Sequence, residues 1–127
     1  MPYEVVWEPK GVVKHFTSKV CVEEFMQSIS VLQNDPRFDR VRYSIDDFIG
    51  TQVLQVTESD MHMYAAMSIG AAVSNPNIHC CILATDPDIV ALVDAYIQLS
   101  PHKTVVLDSI AEARAWLTAQ GISQPAN

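Results

Sequence analysis

Asp46, Asp47, Asp86 and Asp108 are the side chains that could most directly do chemistry, because the sequence places them at or near the carboxyl ends of successive strand-like segments. That edge of an open α/β sheet is where ligands commonly bind. Clustered carboxylates there could hold a divalent cation, or Asp47 could accept a phosphoryl group, with Asp86 beside it. Other roles compete for the same residues. Asp86 precedes Pro87 and so reads as a helix N-cap, while Asp108 adjoins Ser109 at another helix start. The pair Asp47 and Asp86 is the candidate acidic site.

The remaining reactive residues are dispersed. His15, His62, His79 and His102 form no H-x-x-x-H or Cys–His motif, and the four glycines are isolated, so there is no phosphate-cradling loop. No G-x-S-x-G elbow presents a nucleophile. Cys80 and Cys81 are neighbours in a strand, so their side chains point to opposite faces, and Cys21 is expected on an apolar helix face. A zinc or redox site would carry C-x-x-C spacing, which is lacking. The expectation is a non-enzymatic chain with no catalytic residues, no metal and no cofactor.

Charge narrows the partners. Fifteen acidic against eight basic residues give a net charge of -7, which repels nucleic-acid phosphates, and no basic run offsets it. The opening MPYEVVWEPKG has neither the basic nor the apolar region of a signal peptide, which with the unpaired cysteines predicts a soluble, cytoplasmic protein. From Met61 to Thr85 there is no Asp, Glu, Lys or Arg, a length that could span a bilayer as one helix. Ser74-Asn75-Pro76-Asn77 divides it, so it reads as a helix followed by a buried strand, without membrane insertion.

These residues must be positioned by a simple alternation of elements. YEVVWE (3–8) alternates, Pro9-Lys10-Gly11 turns, and GVVKHF (11–16) runs back as a second strand. Ser18 is the expected N-cap of a helix over 19–33, whose stripe is Cys21, Phe25, Ile29 and Leu32. VRYSIDDF (41–48) is the third strand, and 49–57 reads as loop with a short extended piece at QVLQV. Thr57-Glu58-Ser59-Asp60 opens a helix to Ser74, and IHCCILAT (78–85) is a buried strand. A helix from Asp86 to about Ser100, a strand KTVVLD (103–108) and a helix from the Ser109/Glu112 capping box to Gly121 complete the order ββαβαβαβα. Such alternation predicts one α/β domain over 1–122 with a mixed, mostly parallel sheet, and a loose tail over 123–127.

The helix that begins after Thr57 is unusual. MHMYAAMSIGAAVS has apolar or small residues on every side, with Met61, Ala65, Ser68 and Ala72 on one stripe and Tyr64, Met67 and Ala71 on the next. A helix lying on a sheet should show a polar outer stripe. Either neighbouring helices bury this helix within the monomer, or Met61, Met63, Tyr64 and Met67 are candidates for a homodimer or partner interface, or for the roof of a pocket that takes an apolar small molecule.

Several segments together resemble small bacterial SpoIIAA-like (STAS/SEC14-type) proteins: the opening YEVVWEPKGVVKHF, LQNDPRFDRVRYSIDDF, the NPNI turn before an apolar strand, and the closing VVLDSIAEARAWL. The resemblance implies a SpoIIAA-like fold for nearly the whole chain. It also implies a protein-interaction or regulatory role through a partner protein or self-association, with a SEC14-like apolar-ligand carrier as the alternative. Many STAS proteins are switched by phosphorylation of a Ser or Thr at the start of the helix after the third strand, within Asp-Ser-(Ser/Thr)-x-Gly. The corresponding residues here are Thr57-Glu58-Ser59-Asp60-Met61, which keep Thr57 and Ser59 as candidate switch positions but lack the glycine.

Overall fold

A computed structural model describes residues 2–125. Strand β1 (Tyr3–Glu8) and strand β2 (Gly11–Cys21) form a hairpin across the Pro9-Lys10 turn, with Glu8 opposite Gly11 and Tyr3 opposite Phe16. Helix α1 (Val22–Gln33) and a 3-10 turn over Pro36–Arg40 lead to strand β3 (Tyr43–Gln55). Helix α2 (Glu58–Ser74), strand β4 (His79–Leu83), helix α3 (Pro87–Ile97), strand β5 (Lys103–Leu107) and helix α4 (Ile110–Ala119) follow. The sheet order is β1-β2-β3-β4-β5, antiparallel at the hairpin and parallel elsewhere. The expected order ββαβαβαβα and the mixed, mostly parallel sheet are therefore what the chain forms.

Period-two alternation splits the sheet into two chemically different faces. Phe16, Phe48 and Ile82 face α1, α2 and α3, where they pack with Phe25, Ile29, Met61, Ala65, Val93 and Tyr96. Val13, Tyr43, Ile45, Cys81 and Leu83 face the other way, onto Ala113 and Leu117 of α4. Among the described residues α4 is the one helix on this second face.

The polar turn chemistry holds the elements in place. Asn75 is buried, and its side-chain amide donates to the carbonyls of Phe38 and Val41, both at 2.8 Å, while His102 Nε2 donates to the Asn75 carbonyl at 3.0 Å. The NPNI turn thus ties the end of α2 to the 3-10 turn and to the entry of β5. Gly121 takes φ +82, a conformation that favours glycine, and reverses the chain after α4. Gln124 Nε2 then bonds the Arg114 carbonyl at 3.1 Å, so the expected loose tail is anchored to α4 here, while 126–127 lie outside the described residues.

The largest boundary differences from the sequence expectation lie at one place. β2 continues to Cys21 and β3 to Gln55, because Thr17–Cys21 and Gly50–Gln55 pair with each other beyond the rest of the sheet. From sequence the first reads as the cap and start of a helix and the second as a loop; each gains these ladder bonds from the other. Ser18 consequently lies inside β2, at φ +60 beside a register shift, and does not cap α1. Cys21 is the last residue of β2 and the cap position of α1, half-buried, and its backbone N–H donates to the Glu24 carboxylate at 3.0 Å.

Candidate functional site

α2 begins where Thr57 and Asp60 exchange bonds: Asp60 N–H donates to Thr57 Oγ1 at 3.1 Å, and Thr57 N–H donates to the Asp60 carboxylate at 2.8 Å. This reciprocal cap satisfies two N–H groups that would otherwise lack helical partners. Thr57 and Ser59 are both exposed at this end. The inner side of α2 buries Met61, Ala65 and Ser68. Between them Tyr64 stacks on Tyr96 with ring centres 4.1 Å apart and meets the edge of Phe25 at 5.4 Å. Ser68 Oγ and Tyr96 Oη share a hydrogen bond of 3.2 Å. Burial raises the pKa of Tyr64 and pushes that of Tyr96 up to about 12, so both phenols are neutral at physiological pH.

The opposite side of α2 has no cover among the described residues. Met63 is 59% exposed, Ile69 55% and Val73 87%, and Ala66 and Gly70 lie exposed between them. A Cβ built on Gly70 would meet nothing within 4 Å. Met63, Ala66, Gly70 and Val73 recur at spacings of three, four and three, the pattern of a seam for another helix. No Asp, Glu, Lys, Arg or His occurs on this helix after His62. Of the four candidate interface residues, Met63 therefore stands on the open face, Met61 is buried, and Tyr64 and Met67 are half-buried against the core.

Beneath α2 the core is polar. Lys14 is 2% exposed and its Nζ lies 3.5 Å from Asp46 Oδ1, which has no hydrogen-bond partner among the described residues. Lys14 also lines a cavity of about 30 Å³ with the polar side chains of Ser44, Ser68, Cys80, Tyr96 and His102, and Ile29, Leu32, Phe38, Ala71 and Ile78 supply apolar lining. That volume suits one or two water molecules, since each needs roughly 10–15 Å³. The cavity lies beneath Tyr64, Ser68 and Ala71, not beneath Met61, Met63 and Met67 as the helix pattern suggested.

The acidic candidates part company. Asp47 lies within β3, not at its end, on the sheet face opposite Asp46, and pairs with His15 Nδ1 at 3.0 Å. Its other oxygen accepts from the Ile49 N–H at 2.9 Å. Asp86 caps α3 by accepting from the N–H groups of Asp88 and Ile89 at 2.9 and 3.2 Å. Among the described residues no three His, Cys, Asp or Glu side chains are grouped as metal ligands. Cys80 and Cys81 are buried, and burial pushes their thiols up to about 11 and about 12, which suppresses the nucleophilic thiolate.

Two features escaped the sequence reading. The His15–Asp47 and Lys14–Asp46 pairs depend on the register of β2 against β3, which no local pattern specifies. The outer seam of α2 was within reach, because Met63, Ala66, Gly70 and Val73 follow the same helical spacing as the buried stripes. Spacing alone does not tell which apolar stripe faces the sheet.

No family model and no curated protein matches the chain. Solved structures do. The chain is similar to the anti-sigma factor antagonist SpoIIAA in its unphosphorylated form, with 13% identity and a TM-score of 0.62 over 94% of this chain and 99% of that one. It is also similar to an uncharacterised protein of the DUF3478 family from Shewanella loihica PV-4, described as having a SpoIIAA-like fold, with 9% identity and a TM-score of 0.52 over 91% of each chain. Among the described residues no helix is long and apolar enough to cross a membrane. The two-faced sheet, with three helices on one side and one on the other, is the SpoIIAA-like, STAS-type fold.

Proposed function

We propose that this chain is a non-enzymatic protein-interaction domain that associates with a second copy of itself through the outer face of α2, in a reducing compartment such as the cytoplasm where its three free thiols persist. The observation that carries the reading is the exposed seam Met63–Ala66–Gly70–Val73 with Ile69 beside it. A net charge of -7 makes two copies repel, and this face adds nothing to that repulsion because it bears no ionisable group beyond His62. A two-fold contact places the same patch against itself, which an uncharged stripe with small residues at its centre permits. Fully burying a Val, Ile or Met side chain is worth about 1.5–3 kcal/mol, and two copies supply six such side chains against an association cost of about 4–15 kcal/mol.

Ser59 lies one turn before Met63 on the same side of α2. A phosphate on its exposed hydroxyl would bring close to two negative charges per copy to the end of the seam, already flanked by Glu58 and Asp60. Under this reading Ser59, with Thr57 beside it, is the place where association is switched off. An apolar-ligand carrier is the weaker reading, since the cavity under α2 has a volume of about 30 Å³. Sedimentation velocity of the wild type, Ile69→Glu and Ser59→Asp tests the reading: the wild type sediments as a dimer, and both variants shift toward the monomer with unchanged circular dichroism. A monomeric wild type at every concentration contradicts it.

A further inference from the structure

The topology gathers cations on the amino-terminal edge of the sheet. Gly11, Tyr43, His79 and Lys103 stand in register across β2 to β5, so the residues around them form a row. The Arg42 N–H donates to the Lys10 carbonyl at 2.6 Å and the His79 N–H donates to the Arg42 carbonyl at 3.0 Å, which fixes Lys10, Arg42 and His79 side by side. Gly121 then turns the chain so that the Ile122 N–H bonds the Leu117 carbonyl at 3.0 Å, and this segment walls the row on its α4 side.

The result is a recess of about 270 Å³ lined by Lys10, Arg42, Asn77 and His79 with Gly121 to Ser123, and its lining contains no carboxylate. Arg37 and Arg114 are paired, on Asp35 and Glu8. Lys10 and Arg42 make no ion pair among the described residues. Burial and the charge of Lys103 both hold the His79 imidazole below its ordinary pKa, as expected of an electropositive edge.

We propose that this recess is a binding site for a small, multiply charged anion, a phosphoryl or polycarboxylate group. Arg42 forms the two-pronged contact, Lys10 adds a second charge, and the Asn77 amide completes the donor set. The recess uses none of the residues of the α2 seam, so the two proposals stand or fall separately.

Titration with pyrophosphate and with citrate, followed by amide NMR shifts at low ionic strength, tests it. Saturable shifts centred on Lys10, Arg42, Asn77 and His79 are expected for at least one of the two anions. Arg42→Ala weakens binding about tenfold or more and Lys10→Ala by several-fold, whereas Arg40→Ala, a cation outside the recess, leaves it unchanged. Which anion binds more tightly separates a phosphoryl site from a carboxylate site. Ile69→Glu keeps the affinity. No saturable shift for either anion, equal loss in Arg40→Ala and Arg42→Ala, or loss of binding in Ile69→Glu would each overturn the proposal.

Discussion

Glu8 and Arg114, 106 residues apart in the chain, meet in a two-bond pair with both N–O distances at 2.7 Å. The Tyr43 hydroxyl donates to the same carboxylate. This arrangement joins the end of β1 to α4, the helix that covers the second face of the sheet. The bonds from Arg114 are the largest cause holding the Glu8 carboxyl below its ordinary value of 4.5, and burial followed by the Glu8 contact pushes the Tyr43 phenol up to about 12.

A lowered carboxyl pKa has a definite sign. The stabilisation is complete above the unfolded-state value near 4.5 and is lost as pH falls through the lower folded-state value. Glu8→Gln should therefore cost about 2 kcal/mol at neutral pH. The gap between it and the wild type should shrink at pH values below 4.5. Urea unfolding at neutral and acidic pH measures this; a gap that stays constant with pH would show that Glu8 acts through packing alone.

Gly11 sits directly under the ring of Tyr43. A Cβ at this position would fall 2.3 Å from the ring carbons, and Tyr43 is fully buried with its hydroxyl fixed on Glu8, so the ring has no free direction to yield. Gly11→Ala is expected to destabilise by about 1–3 kcal/mol, the usual cost of overpacking. Chemical denaturation checks it, and a stability equal to wild type would mean that the hairpin end yields instead.

Lys14 and Asp46 form the buried ion pair of the first face, where both partners are at most 7% exposed. Lys14→Met alone leaves a buried carboxylate without its cation and should cost about 3–5 kcal/mol. The double variant Lys14→Met with Asp46→Leu should recover most of that loss, or exceed the wild type, because two desolvated charges are replaced by packing. If the double variant is no more stable than the single, the pair contributes more than it costs.

The contrast between what the sequence announced and what it hid follows the range of the interactions. Thr57, Asp86, Ser109 and Gly121 act within one helical turn, so the starts and stops of α2, α3 and α4 were legible from residue types. The Thr17–Cys21 and Gly50–Gln55 extensions were not, because each is a strand only by virtue of the other. The proposed contact surface falls between these cases. The composition of α2 marks it as unusually apolar, yet Met61 and Met63, two residues apart, lie on opposite sides of the helix, one 2% and the other 59% exposed. Periodicity groups them correctly into separate stripes but does not say which stripe the sheet covers.

The seam on α2 is tested most directly by native mass spectrometry of the wild type beside Ile69→Glu. A species at twice the 14.1 kDa chain mass is predicted for the wild type at micromolar concentration, and the chain mass alone for Ile69→Glu, with both proteins equally folded. A wild type found only at the chain mass, or a dimer that Ile69→Glu leaves intact, would contradict the account.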